Sequence, residues 1–173
     1  KSLRNVESIE LRAIEPSACP SLTKGKFAYD FGDTGGMTPL VKMHTLGSSF
    51  IPSGFHAGGL RYHGMAPIVS HLVNNGYVNP ESYTQLDVFK AGLLFAKNEG
   101  IIPAPEANHA VKGAIEAALR AKESGENKTI LFNLCGHGNF DMQAYTYYFE
   151  GKLFDQEYSD EEIGMALSGL PSV

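Results

Sequence analysis

The run Thr129–Leu134 reads TILFNL, apolar at nearly every position, and the tetrapeptide Cys135-Gly136-His137-Gly138 follows it directly. A strand with one wet face alternates polar and apolar residues. A run that does not alternate fits a strand covered on both faces. Such strands belong to parallel sheets, whose crossover helices lie on the two faces. This run therefore predicts an α/β domain.

The rest of the chain is read against that constraint. Ile9–Ile14 (IELRAI) alternates and runs into Pro16, so it predicts a short strand. Met65–Asn75 predicts a helix stopped by Gly76. Thr84–Asn98 predicts a longer one, with Thr84 and Asp87 capping its start and Leu86, Phe89, Leu93 and Ala96 along one face. Ile101–Ala104 (IIPA) predicts a strand, and Glu106–Lys122 a helix with Ala110, Ile115, Ala118 and Leu119 apolar, closing near Gly125. Asn139–Phe149 and Ser159–Ala166 predict two more helices, the second opened by Ser159 and Glu162 at capping-box spacing. Ser17–Gly64 differs from all of these. It holds nine Gly and three Pro with little periodicity, which predicts a functional loop region. The expected architecture is a three-layer α/β domain over residues 1–173, with a mostly parallel sheet, helices on both faces, a loop segment 17–64 and a tail 152–173.

Composition excludes several classes of function. The apolar fraction of 43% suits a packed core, and the net charge of −5 with scattered basic residues excludes a nucleic-acid-binding stripe. No apolar run approaches the roughly 20 residues that cross a bilayer. The two cysteines, Cys19 and Cys135, lie far apart and read as free thiols of a reducing, cytoplasmic compartment. The chain starts at Lys1 and Lys1–Glu10 is polar, with no signal segment, so it reads as a piece of a longer polypeptide.

In open α/β sheets, ligands sit beyond the carboxyl ends of strands. Two places meet that rule: Pro103–Glu106 and Cys135–Gly138. Cys135 either faces that crevice or packs the turn, since Cys is often buried. Glu106 opens a helix, where the dipole alone favours a carboxylate. His109, one turn later, reads as an interior or partner-paired histidine. In Arg61-Tyr62-His63-Gly64, main-chain carbonyls could hold a monovalent cation or substrate. Arg61 either binds a carboxylate, neutralises an acid, or is an ordinary surface residue. His56, His63 and His137 fit no zinc spacing, and no P-loop or dinucleotide fingerprint is present.

Five segments together resemble a known family. EPSACPSLTKG (15–25), YDFGDTGGMTPL (29–40), HTLGSSFIPSGFHAGGLRYHG (44–64), GIIPAPEANHA (100–110) and NLCGHGNFDMQAY (133–145) are similar to the C-terminal half of the tryptophan synthase β chain, in its divergent second group. The resemblance implies a fold-type II, pyridoxal-phosphate-dependent lyase that joins L-serine and indole to give L-tryptophan. It implies that Cys135 replaces the family serine beside the cofactor's pyridine nitrogen, with Gly136 next to it and Glu106 near the ring. It places Arg61 and His137 in the substrate region, where the main group has an acid and an arginine. It places the carbonyls of Tyr62 and Gly64 near a monovalent-cation site. It further implies a homodimer, an α-subunit as a partner, and a cytoplasmic enzyme.

The family's cofactor-bearing lysine and its GGGSN phosphate cup precede the matched region, and none of the ten lysines here lies in a matching context. The chain alone is therefore expected to be inactive. Two other readings stand beside this one: another fold-type II lyase, and a truncated, non-catalytic module that binds a ligand or partner. The HTLGSSFIPSGFHAGGLRYHG block argues against the first, and the start at Lys1 argues weakly against the second.

Overall fold

The structure is a computed structural model that describes residues 9–172; the polar stretch 1–8 lies outside it. The chain is α/β, as expected. Strand β1 (Arg12–Pro16) pairs in parallel with β4 (Asn79–Tyr83), Arg12 opposite Asn79 and Pro16 opposite Tyr83. Between them run β2 (Lys26–Phe31), β3 (Leu40–Thr45) and helix α1 (Pro67–Asn74). After β4 come α2 (Gln85–Glu99), α3 (Pro105–Ser124), α4 (Met142–Phe149) and α5 (Asp160–Leu167).

Local chemistry sets the helix ends where the sequence indicated. Thr84 Oγ1 accepts from Asp87 N–H to cap α2, and Ser159 and Glu162 form a complete capping box on α5. Gly100 and Gly125, both at φ 70°, close α2 and α3 in the left-handed conformation that glycine adopts without strain.

Helix α3 packs on α2 and on β1, and α4 packs on α2. The core there is Val88, Phe89, Ala144 and Tyr145. Phe89 is fully buried, edge-on to Tyr145 (ring centroids 5.1 Å) and stacked on Tyr148 (5.8 Å). Burying a phenylalanine this way stabilises by about 2–3 kcal/mol. Ala18, Cys19, Leu46, Phe50, Phe55, Ala57 and Ile163 form a second cluster, which fastens α5 to the glycine-rich region. No helix among the described residues is long and apolar enough to cross a membrane.

The structure corrects three expectations. Residues 17–64 are not all loop: β2 and β3 form an antiparallel hairpin, Lys26 opposite Thr45. Its alternation is broken by Asp30 and hidden among glycines and prolines. Thr129–Leu134 forms no strand, because no described segment lies beside it to complete a ladder. IIPA contributes only one bridge, Pro103 with His137. Proline has no N–H to donate, which limits it to isolated pairings. On α3 the buried face runs through Ala107, Asn108, Val111 and Gly113, while Leu119 is exposed. Gly113 lets the helix lie close on β1, since a Cβ there would stand 2.7 Å from the Ile14 side chain.

Candidate functional site

The N-terminus of α3 gathers three separate stretches of sequence. The turn Cys135–Gly138 lies against Pro103 and Ala104: Ala104 N–H donates to the Gly136 carbonyl at 2.9 Å, and Gly138 N–H to that of Ile102 at 2.7 Å. Gly138 is required by this approach, since a Cβ there would stand 2.5 Å from the Pro103 carbonyl oxygen. Tyr145 locks the junction from below. Its hydroxyl donates to the Pro103 carbonyl at 2.6 Å, and the buried Asn108 amide donates to that hydroxyl at 3.0 Å.

Glu106, in the first turn of α3, does more than answer the helix dipole. Its Oε1 accepts from Gly59 N–H at 2.9 Å, which ties the 3-10 turn Gly58–Leu60 to the helix. The turn leads directly into Arg61. That side chain is exposed; its Nη2 donates to the Pro52 carbonyl at 3.3 Å and its guanidinium lies 5.9 Å from the Phe55 ring centre. Cys135 is an exposed free thiol. His137 is also exposed and turns back on its own loop: Nδ1 accepts from Asn139 N–H at 3.3 Å, and the ring leans on Phe140.

His109 is buried, with Nδ1 2.9 Å from the Pro105 carbonyl, as an interior histidine should be. Burial holds its imidazole below the ordinary value of 6.5, because the charged form loses hydration there. Tyr62 anchors the far end of the segment, its hydroxyl donating to the Gly32 carbonyl at 2.6 Å. Burial first, then the negative charges of Asp30 and Asp33, raise that phenol above its ordinary value of 10.0. The Tyr62 carbonyl accepts from the Cys19 thiol at 3.2 Å. Burial pushes that thiol up to about 11, so Cys19 stays protonated and acts as donor. Gly64 bridges Thr45 antiparallel, flanked by bonds from Leu46 N–H to the His63 carbonyl (2.7 Å) and from Met65 N–H to that of His44 (2.8 Å). Gly64 thus occupies the non-hydrogen-bonded position, and its own carbonyl is turned away from β3.

The structure therefore unites Glu106, Gly136 and the turn before Arg61 around one helix end, pairs Gly64 with the end of β3, and holds Tyr62 against Cys19 and Gly32. Sequence reasoning missed a buried polar cluster behind that segment. Asp30 Oδ1 accepts from Phe31 N–H at 2.8 Å and Oδ2 from Thr45 Oγ1 at 2.6 Å; His63 Nε2 lies 3.9 Å from that same Oδ2 and 2.9 Å from the Phe31 carbonyl. Asp30 and Thr45 are fully buried. Its one visible signal was an acid between aromatic residues in YDF, which no motif marks.

No family model matches the chain. Among curated proteins, the tryptophan synthase beta chain 2 of Aquifex aeolicus (strain VF5) is 58% identical over 149 residues, 86% of this chain and 34% of that protein. The tryptophan synthase beta chain 2 of Methanosarcina acetivorans is 58% identical over 151 residues, 87% of this chain and 34% of the relative. The tryptophan synthase beta chain of Thermococcus gammatolerans is 57% identical over 148 residues, again 86% and 34%. The chain thus spans about a third of the length of the curated relatives it matches. Along most of its own length, what this chain is similar to is a part of the tryptophan synthase beta chain.

Proposed function

We propose that this chain is the cofactor-facing part of a pyridoxal-phosphate-dependent β-replacement enzyme that joins L-serine and indole to give L-tryptophan. The observation that carries this reading is the convergence of the GIIPAPE, CGHG and GLRYHG blocks at the N-terminus of α3, held by the Ala104–Gly136 and Glu106–Gly59 hydrogen bonds. The same reading makes the intact enzyme a cytoplasmic homodimer able to receive an α-subunit.

The residues at that helix end fit the cofactor's ring. Only Oε1 of Glu106 is engaged among the described residues, which leaves Oε2 as an acceptor beside the site. Cys135 presents an exposed thiol at the mouth of the turn. When bound, pyridoxal phosphate supplies the electron sink for elimination and replacement at the β-carbon. Cys135 would face the ring nitrogen, where a thiol would offer only a weak hydrogen bond. Glu106 holds the Gly58–Leu60 turn and so positions Arg61, whose guanidinium suits the substrate carboxylate. His137 borders the substrate region from the opposite turn. The carbonyls of Tyr62 and Gly64 would hold a monovalent cation, which would stiffen the segment between them. That site is fit for an ion: Gly64 directs its carbonyl off the sheet, and Tyr62 offers one met only by a thiol, a weak donor.

The test is a chimera in which this chain replaces the corresponding third of the Aquifex aeolicus protein, assayed for tryptophan from serine and indole. Robust turnover supports the reading, and a folded, cofactor-loaded chimera without turnover sinks it. The 173-residue chain alone, mixed with serine, indole and pyridoxal phosphate, should show no turnover. Losing covalent catalysis removes several orders of magnitude in rate.

A further inference from the structure

Helix α5 is docked across the glycine-rich region. Ile163 lies in the cluster with Leu46, Phe50 and Phe55, and a Cβ on Gly47 would stand 2.5 Å from the Ala166 carbonyl oxygen. Tyr158, just ahead of the helix, is fixed at both ends. Lys24 Nζ donates to its carbonyl at 3.0 Å and lies 3.6 Å from Asp160, and its ring meets Phe50 edge-on at 4.8 Å. The hydroxyl reaches back 105 residues: it accepts from Ser53 N–H at 2.7 Å and donates to the Ile51 carbonyl at 3.4 Å. Those two groups flank Pro52, whose own carbonyl accepts from Arg61 Nη2 at 3.3 Å. The Ser53 N–H and the Pro52 carbonyl belong to one peptide unit, which is planar and turns as a single body. The ring of Pro52 already fixes φ on its other side. Rotation about ψ of Pro52 is therefore what aims the carbonyl at Arg61, and the Tyr158 hydroxyl stops that rotation.

We infer that Tyr158 is a positioning residue for Arg61, and that the C-terminal tail thereby shapes the substrate region from outside it. The role of Arg61 toward a substrate carboxylate rests on the reading above; the mechanical link does not. The Tyr158 hydroxyl holds the N–H edge of the Pro52–Ser53 peptide, and the Arg61 guanidinium takes its carbonyl edge. The other support of the guanidinium is the Phe55 ring, whose centre lies 5.9 Å away. Phe55 belongs to the cluster that Ile163 and Tyr158 help to close. Both supports of Arg61 thus depend on the tail. A free arginine side chain loses rotamer freedom when it binds a carboxylate, and one already held against a carbonyl and an aromatic face loses less. Tyr158 therefore acts, through Arg61, on affinity for the substrate carboxylate and not on the chemical step.

Tyr158→Phe removes the hydroxyl and keeps the edge contact with Phe50. Trypsin cuts after Arg61 and after Lys128, both exposed, and timed digestion read by mass spectrometry follows the two bonds separately. Loss of the bond to Ser53 should speed cleavage after Arg61 about fivefold, the worth of one such hydrogen bond, and leave cleavage after Lys128 unchanged. Equal acceleration at both sites is general destabilisation and overturns the inference, as does an unchanged rate at Arg61. The second arm uses the chimera described above. There Tyr158→Phe should raise the KM for serine about fivefold at nearly constant kcat. With Arg61→Gln already in place, the same change should add nothing, because residues that act through one another are not additive. Full additivity, or a fall in kcat alone, overturns the link to substrate. A chimera without turnover removes the enzymatic reading, and the digestion still decides whether Tyr158 holds Arg61.

Discussion

The glycine-rich region and the TILFNL run treat their polar groups in opposite ways. Between Glu15 and Gly64 the buried carboxylates are bonded, while Ser17, His44 and Ser53 hold buried side-chain atoms without a partner among the described residues. Glu15 accepts four hydrogen bonds, from Leu22 N–H (2.9 Å), Thr23 N–H (2.8 Å), Thr23 Oγ1 (2.7 Å) and Ser21 Oγ (3.2 Å). Asp33 accepts from Met37 and Thr38 to close the hairpin. Thr129–Leu134 has the better composition for a core, yet Leu131 is 94% exposed and the run joins no ladder. Only Phe132 is held, edge-on to Phe95 at 5.8 Å. The lesson is that apolar composition describes a surface that wants covering, whereas polar side chains with short-range partners build their own structure. One depends on a neighbour elsewhere in the sequence, and the other carries its partners within a few residues.

The comparison is broken or sharpened first at Glu15. Glu15→Ala leaves the N–H groups of Leu22 and Thr23 and the hydroxyls of Ser21 and Thr23 without an acceptor, and should cost about 3 kcal/mol in chemical denaturation. A cost below about 1 kcal/mol would mean that the turn Pro20–Gly25 does not depend on the carboxylate. The same residue gives a pH test. Burial raises the Glu15 carboxyl above its ordinary value of 4.5, and this outweighs the four hydrogen bonds that lower it. A raised folded value contributes stability that is complete below 4.5 and is lost as pH rises through the folded value. Stability of the parent relative to Glu15→Gln should therefore fall as pH climbs from that point. A parent that instead gains on the variant with rising pH would show that the four donors dominate burial.

Much of the fold was legible for a physical reason. Thr84, Ser159, Gly100 and Gly125 act on their own helix within one turn, so sequence alone locates the ends of α2, α3 and α5. Glu106 and Gly136 stand out in the sequence because each adjoins a helix or turn start. The Glu106–Gly59 bond spans 47 residues and the Thr45–Asp30 bond 15, and such pairings leave no periodic trace. The hairpin was hidden for a different reason: Asp33 and Thr38 tie its turn locally, while its strands do not alternate in sequence. The TILFNL expectation shows the converse limit, since a run of apolar residues states a preference for burial and not the identity of what buries it.

A smaller effect is expected at Phe132. It is half-buried and makes one aromatic contact, with Phe95. Phe132→Ala should cost about 1 kcal/mol, the worth of one edge-to-face pair with modest burial. A loss of 3 kcal/mol or more, as for a core phenylalanine, would show that the run is packed in solution far more tightly than its exposure here indicates.

The smallest effect falls at Leu131, and it decides the comparison most cleanly. At 94% exposure its side chain gains almost nothing from folding, and the run joins no ladder for it to support. Leu131→Lys should change the stability of the chain by less than about 0.5 kcal/mol, as for other surface substitutions away from special features. It should also raise the protein concentration reached before aggregation, because a charge interrupts an apolar segment that is otherwise free to pair between molecules. If this run were a covered strand, a lysine at its centre would bury an unpaired charge and unfold the domain. Denaturant midpoints of the parent and Leu131→Lys chains, measured together with light scattering, separate the two cases. Equal midpoints with less scattering place the run at the surface. A collapse of the midpoint would mean that TILFNL is part of the core after all, and that the hairpin region is not the better-determined half of the molecule.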